Sequence, residues 1–183
     1  MRRVAVIAVA GVALAGCGGG ARDARRPGPS PSAGGASAAV SPAATPTVAP
    51  VGAATLAAYR GMWEDWVALA ATGDYQNPRL ANHASGRALS LIYKAIYKDR
   101  AAGLHSEGRP VLSPKIVAMT PESSPDRATV SDCVDTSPWV SVRSTGERQA
   151  DSPSGRHAVQ ALAVLGNGMW KVDQLVIQDL GTC

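Results

Sequence analysis

The sequence predicts an α+β domain in which N-terminal helices pack against a curved antiparallel β-sheet. Apolar residues recur at intervals of three and four through the first half of the folded region. The second half breaks into short, β-branched segments separated by Pro, Gly, Asp and Ser. Gly166-Asn167-Gly168 stands between the last two segments as a hairpin signal. Helices first and an antiparallel meander after them define the class.

The chain opens on an export signal over residues 1–16. Arg2 and Arg3 form a short positive head, and Val4 to Ala15 form an apolar run. That run is too short to cross a bilayer, which takes roughly 20 residues. Leu14-Ala15-Gly16-Cys17 resembles the lipobox of bacterial lipoproteins. The resemblance implies cleavage before Cys17 and a diacylglyceryl group on its sulfur, anchoring the protein at the outer face of the cytoplasmic membrane. Two acyl chains hold stably where one is marginal. Ala13-Leu14-Ala15 is also an A-x-A site for ordinary signal peptidase, which would release a soluble secreted protein.

Residues 17–52 read as a lipidated cysteine followed by a disordered tether rich in Gly, Pro, Ala, Ser and Thr. Such a segment buries too little apolar surface to offset its ordering entropy. As a flexible coil its reach is roughly 30 Å. The formal net charge of +4 is carried half by Arg2 and Arg3 of the export signal and half by the tether: from Ala53 onward 13 Lys and Arg balance 13 Asp and Glu. A neutral domain gives no reason to expect a nucleic-acid partner.

Residues 53–183 suit one domain with one core. In the first helix Leu56, Tyr59, Trp63, Trp66 or Val67, and Ala70 share a face, with Thr55 as N-cap and Gly73 as stop. A short helical turn follows Pro78. A longer helix then sets Leu89, Ile92, Tyr93, Ile96 and Arg100 on one stripe and ends at Gly103. The strands are read in VLSPKIVAM, DRATVSDCVDTS, WVSVR, GRHAVQALAVL and MWKVDQLVIQD.

From about Ala53 to Cys183 the chain resembles the nuclear transport factor 2-like superfamily, a cone of helices wrapped by a bent antiparallel sheet. Its YRGMWEDW helix, DCVD-x-S-x-W strand and WKVDQLVIQDLGTC ending are similar to those of actinobacterial lipoproteins with such a domain, of the SnoaL-like kind. The chain departs from the pattern in lacking a clear strand between the first helices and the long one. The resemblance implies a homodimer through the sheet face as one arrangement. It leaves activity open, because the superfamily holds isomerase-like enzymes beside binding modules.

Export would place Cys133 and Cys183 in an oxidising compartment, and with Cys17 lipidated the remaining count is even. The expected disulfide joins the DCVD strand to the chain end. A redox-active pair is disfavoured by the absence of C-x-x-C.

No nucleophile elbow, P-loop, H-E-x-x-H or dinucleotide fingerprint occurs. His83, His105 and His157 lack metal-ligand spacing, so neither a metal nor a cofactor is expected. Along ATVSDCVD, alternation sets Ala128, Val130, Asp132 and Val134 on one strand face. Asp132 on a core-facing side would have a raised pKa and could move a proton with help from His157 or Tyr93. The alternative has Asp132 facing solvent or capping a turn. Tyr59, Trp63 and Trp139 read as core or sheet cover first, and as the wall of an apolar ligand pocket second. The expected function is therefore an anchored module that binds a small apolar ligand or an envelope protein. An isomerase or hydratase using Asp132 is the alternative.

Overall fold

The computed structural model describes residues 48–149 and 154–183. The export signal, Cys17 and the tether as far as residue 47 lie outside the described residues. The domain is α+β, in the order α1 (Val48–Ala70), α2 (Leu80–His83), α3 (Gly86–Ala101), β1 (Leu104–Gly108), β2 (Lys115–Thr120), β3 (Arg127–Asp135), β4 (Trp139–Arg143), β5 (Arg156–Gly166) and β6 (Met169–Leu180). No helix among the described residues is long and apolar enough to cross a membrane.

Helix α1 begins earlier than the sequence suggests and takes in residues 48–52, assigned above to the tether. Pro50 falls in its first turn, where a missing N–H costs nothing. Thr55 is consequently not an N-cap. It is buried inside the helix, and its Oγ1 donates to the Val51 carbonyl at 2.9 Å. The inward stripe of α1 carries Tyr59, Met62, Trp63, Trp66 and Leu69, all buried. On α3 the buried residues are Ala88, Ile92 and Ile96. Tyr93, expected on that stripe, is 41% exposed, because it lies one residue around the helix from Ile92.

Four strands form one antiparallel sheet in the order β2-β3-β5-β6, while β1 pairs with β4 in a separate two-stranded sheet. The strands therefore do not form the simple meander expected from the sequence. β4 leaves the main sheet, so β3 takes β5 as its neighbour over the full run from Arg127↔Val164 to Asp135↔Arg156. Strand β1 has no signal in the sequence, because LHSEG contains a single apolar residue and no alternation. In VLSPKIVAM only Lys115 onward is strand, and Val111 makes an isolated bridge with Asp135.

The β5–β6 hairpin turns at Asn167 and Gly168, with φ of 51° and 75°. Two consecutive positive φ values are what a two-residue hairpin needs to follow strand twist, and Asn-Gly supplies them cheaply. Helices α1 and α3 lie against β6. The main core gathers Tyr59, Met62, Trp63, Ile92, Ile96, Val130, Val134, Val159 and Val172 between helices and sheet. Ala58, Ala128, Ala163 and Trp170 form a smaller, separate cluster.

Candidate functional site

Strand β3 alternates as its sequence suggests: Ala128, Val130, Asp132 and Val134 are buried. Asp132 is 5% exposed, so it faces the core rather than solvent. Its Oδ1 accepts the Ser113 backbone N–H at 2.7 Å, and its Oδ2 accepts the Tyr59 hydroxyl at 3.1 Å. Burial pushes the Asp132 carboxyl above the usual carboxylate range. Hydrogen bonds from Ser113, Tyr59 and the Cys133 backbone, and the charge of Arg60, work against that push. The Tyr59 phenol is also held above its ordinary value, by burial first and then by the Asp132 charge.

The helpers anticipated for Asp132 stand elsewhere. Tyr93 packs edge-on against Tyr75 of the α1–α2 connection and stacks on Tyr97 of α3, where both α3 rings are exposed. His157 places Nδ1 3.0 Å from the Gln178 carbonyl oxygen, on the β5–β6 side. Asp132 is instead paired through α1, by Tyr59. The signal for this was present, since Tyr59 lies on the inward stripe, but the pairing depends on how α1 crosses β3.

Trp63 stacks on Trp66 with centroids 5.0 Å apart, and Trp139 stands edge-on to both. These rings are largely core, yet each also reaches open space. Trp63 lines a cavity of about 510 Å³ together with Arg60, Glu64, Val67, Ala68, Arg79, Arg109 and Leu112. Trp139 lines a smaller one of about 200 Å³, with Trp66, Asp99, Ser106 and His157. Burial raises the Asp99 pKa, against the opposing charge of Lys98. Tyr59 and Asp132 line neither cavity, nor the third, of about 370 Å³, between Tyr75, Leu80, Leu89 and Tyr93.

One lining residue of the larger cavity, Arg79, belongs to a web of ion pairs that no motif in the sequence announces. Asp65, 3% exposed, takes Arg79 Nε on Oδ1 at 2.6 Å and His83 Nδ1 on Oδ2 at 2.7 Å. An acid placed between two tryptophans on a buried helix face must find partners, and that was the available signal. Among the described residues no group of three or more His, Cys, Asp or Glu side chains is placed to hold a metal ion. Cys133 and Cys183 lie at disulfide distance, with Cα atoms 5.9 Å apart, and the Arg156 guanidinium donates twice to Cys133 Sγ.

No protein family profile matches this chain, and no curated protein matches it significantly. Among solved structures it is similar to the intermembrane space region of chloroplast protein ARC6, at 13% identity and a TM-score of 0.39, covering 68% of this chain and 95% of that one. A domain of unknown function with a cystatin-like fold from Nostoc punctiforme is similar at 11% identity and a TM-score of 0.40, covering 75% and 82%. At these scores neither likeness carries an argument about this chain.

Proposed function

We propose that this protein is a lipid-anchored extracytoplasmic module that binds a small ligand in the cavity against α1. The observation that carries the reading is the contrast between that cavity and Asp132. The cavity is open, has an apolar floor, and at about 510 Å³ falls in the range of roughly 300–1,000 Å³ common for small-molecule sites. Asp132 has a partner on each oxygen and lines none of the three cavities. The fold belongs, on this reading, to the cone-shaped nuclear transport factor 2-like class. Support comes from two helices lying against an antiparallel sheet that is bulged in β2 and in the β5–β6 pair, because bulges bend strands. The anchor rests on Leu14-Ala15-Gly16-Cys17 after a short apolar run.

A thermal-shift screen of small molecules against the wild type and Ala68→Trp tests the binding. Ligands should raise the wild-type melting temperature and lose that effect when the indole fills the cavity. Ligands that stabilise both proteins equally would refute the site. For the anchor, a mass spectrum of the processed chain should show an acylated Cys17 as first residue, and an unlipidated start at Gly16 would overturn it.

The second reading, an isomerase or hydratase using Asp132, is favoured by the Tyr59 contact and the raised pKa. It requires Oδ2 to exchange Tyr59 for a substrate. Asp132→Asn separates the two: a binding module still binds its ligand, whereas an enzyme loses its turnover.

A further inference from the structure

The cavity against α1 carries an uneven charge in a domain that is neutral over residues 53–183. Arg60, Arg79 and Arg109 stand on its wall against one lining carboxylate, Glu64. Arg79 is fixed by Asp65, whose other oxygen is already engaged with His83. Among the described residues no carboxylate lies within 4.0 Å of Arg60 or Arg109. Arg60 and Arg109, cations on one wall without a carboxylate in ion-pair reach, favour an arriving anion. A guanidinium fork also matches carboxylate and phosphate oxygens in pairs. Beneath the charges the floor is apolar: Trp63 and Pro110 are buried, and Val67, Ala68 and Leu112 are half-buried.

We infer that this cavity takes a free small amphiphile whose anionic head, a carboxylate or phosphate monoester, is held by Arg60, Arg79 and Arg109 while its apolar body lies on Trp63, Val67 and Leu112. The inference rests on the small-ligand reading above and names the class of ligand.

Isothermal titration of the full chain carrying Cys17→Ser, so that no acyl chain of its own competes, tests it. The probes are decanoate and decyl phosphate below their micellar concentrations, octyl glucoside as a neutral body, inorganic phosphate as a bare head, and phosphatidylglycerol vesicles. The anionic amphiphiles should bind at least tenfold more tightly than either octyl glucoside or inorganic phosphate, and added NaCl should weaken them. Replacing Arg60 and Arg109 together by Gln should weaken the anionic amphiphiles at least tenfold and leave octyl glucoside unchanged. Equal affinity for octyl glucoside, with no effect of the double substitution, overturns the anionic class while small-ligand binding stands. Binding to vesicles alone overturns a free ligand in favour of a membrane headgroup. Binding of inorganic phosphate as tight as that of decyl phosphate overturns the role of the apolar floor. No binding by any probe overturns the inference, and the wider thermal-shift screen then decides small-ligand binding separately.

Discussion

Tyr59→Phe removes one hydroxyl from the interior and leaves Asp132 Oδ2 without its donor. Both residues are buried, at 0% and 5% exposure, so water cannot replace the lost bond cheaply. With Asp132 ionised, the lost hydrogen bond is one to a charged group, for which about 1.5–3 kcal/mol applies. With Asp132 protonated it is a neutral bond, for which about 0.5–1.5 kcal/mol applies. The destabilisation should therefore grow with pH. Asp132 has a folded pKa raised above 3.8, so its titration contributes stability that is fully present below the unfolded pKa and is lost as pH rises through the folded pKa. Tyr59 favours the ionised form, so removing it raises the Asp132 pKa further and deepens that loss. Urea unfolding of wild type and Tyr59→Phe, from about pH 3.5 to 8, should show the gap between them widening upward. Asp132→Asn keeps an acceptor for Ser113 and an amide for the Tyr59 oxygen, and should remove this contribution to the pH dependence. A cost below about 0.5 kcal/mol at all pH values, or one independent of pH, would refute the assigned pair.

Three other perturbations follow from the geometry. Cys183→Ser opens a link between residues 50 apart in sequence, which the chain-entropy relation values at about 4 kcal/mol; urea midpoints with and without reductant should coincide for the variant and separate for the wild type. Gly86→Ala should lower the melting temperature sharply, because φ is +48° and an added Cβ would overlap the Asp173 carboxylate that accepts from Ser85 Oγ at 3.0 Å; a melting temperature within a degree of wild type would refute this. Asp65→Ala leaves Arg79 and His83 without their shared carboxylate. It should cost about 1–3 kcal/mol and weaken anionic amphiphiles by loosening Arg79, with Asp65→Asn intermediate; unchanged unfolding and titration curves would count against the web.

Local periods were legible and tertiary pairings were not. The inward face of β3 follows from a period of two, and the Asn167-Gly168 turn from chemistry that few other residue pairs offer. β1 was illegible because its five residues are mostly polar, and its pairing with β4 arises only once β4 leaves the main sheet. The start of α1 was misplaced because Pro50 and Gly52 are common in linkers, although both are tolerated in this helix. The Asp132 site was half-read: its facing came from alternation, while its true partners, Tyr59 and Ser113, come from α1 and the β1–β2 connection. Of the cavity only Trp63 was legible as a pocket wall; its arginines were not, because they sit on α1, before α2 and after β1, and nothing in the chain marks them as neighbours.

Helix α1 connects the buried acid to the cavity, and this decides which substitutions can report on function. Tyr59, Met62 and Trp66 point into the core, while Arg60, Glu64, Val67 and Ala68 line the cavity, so the two sets occupy different faces of the same turns. Trp63 belongs to both, being 2% exposed and part of the cavity wall. Its truncation would cost core packing of about 3–5 kcal/mol in addition to any loss of ligand contact. Weakened binding in such a variant would therefore not distinguish a damaged site from a damaged fold. Arg60, Ala68 and Arg109 touch the cavity without contributing to the main core cluster, which makes them the positions where binding can change while the fold is kept. Arg60 is the most informative of the three. Its charge also favours ionised Asp132, so an anion bound there should be felt as a shift in the titration of an acid that never meets the ligand.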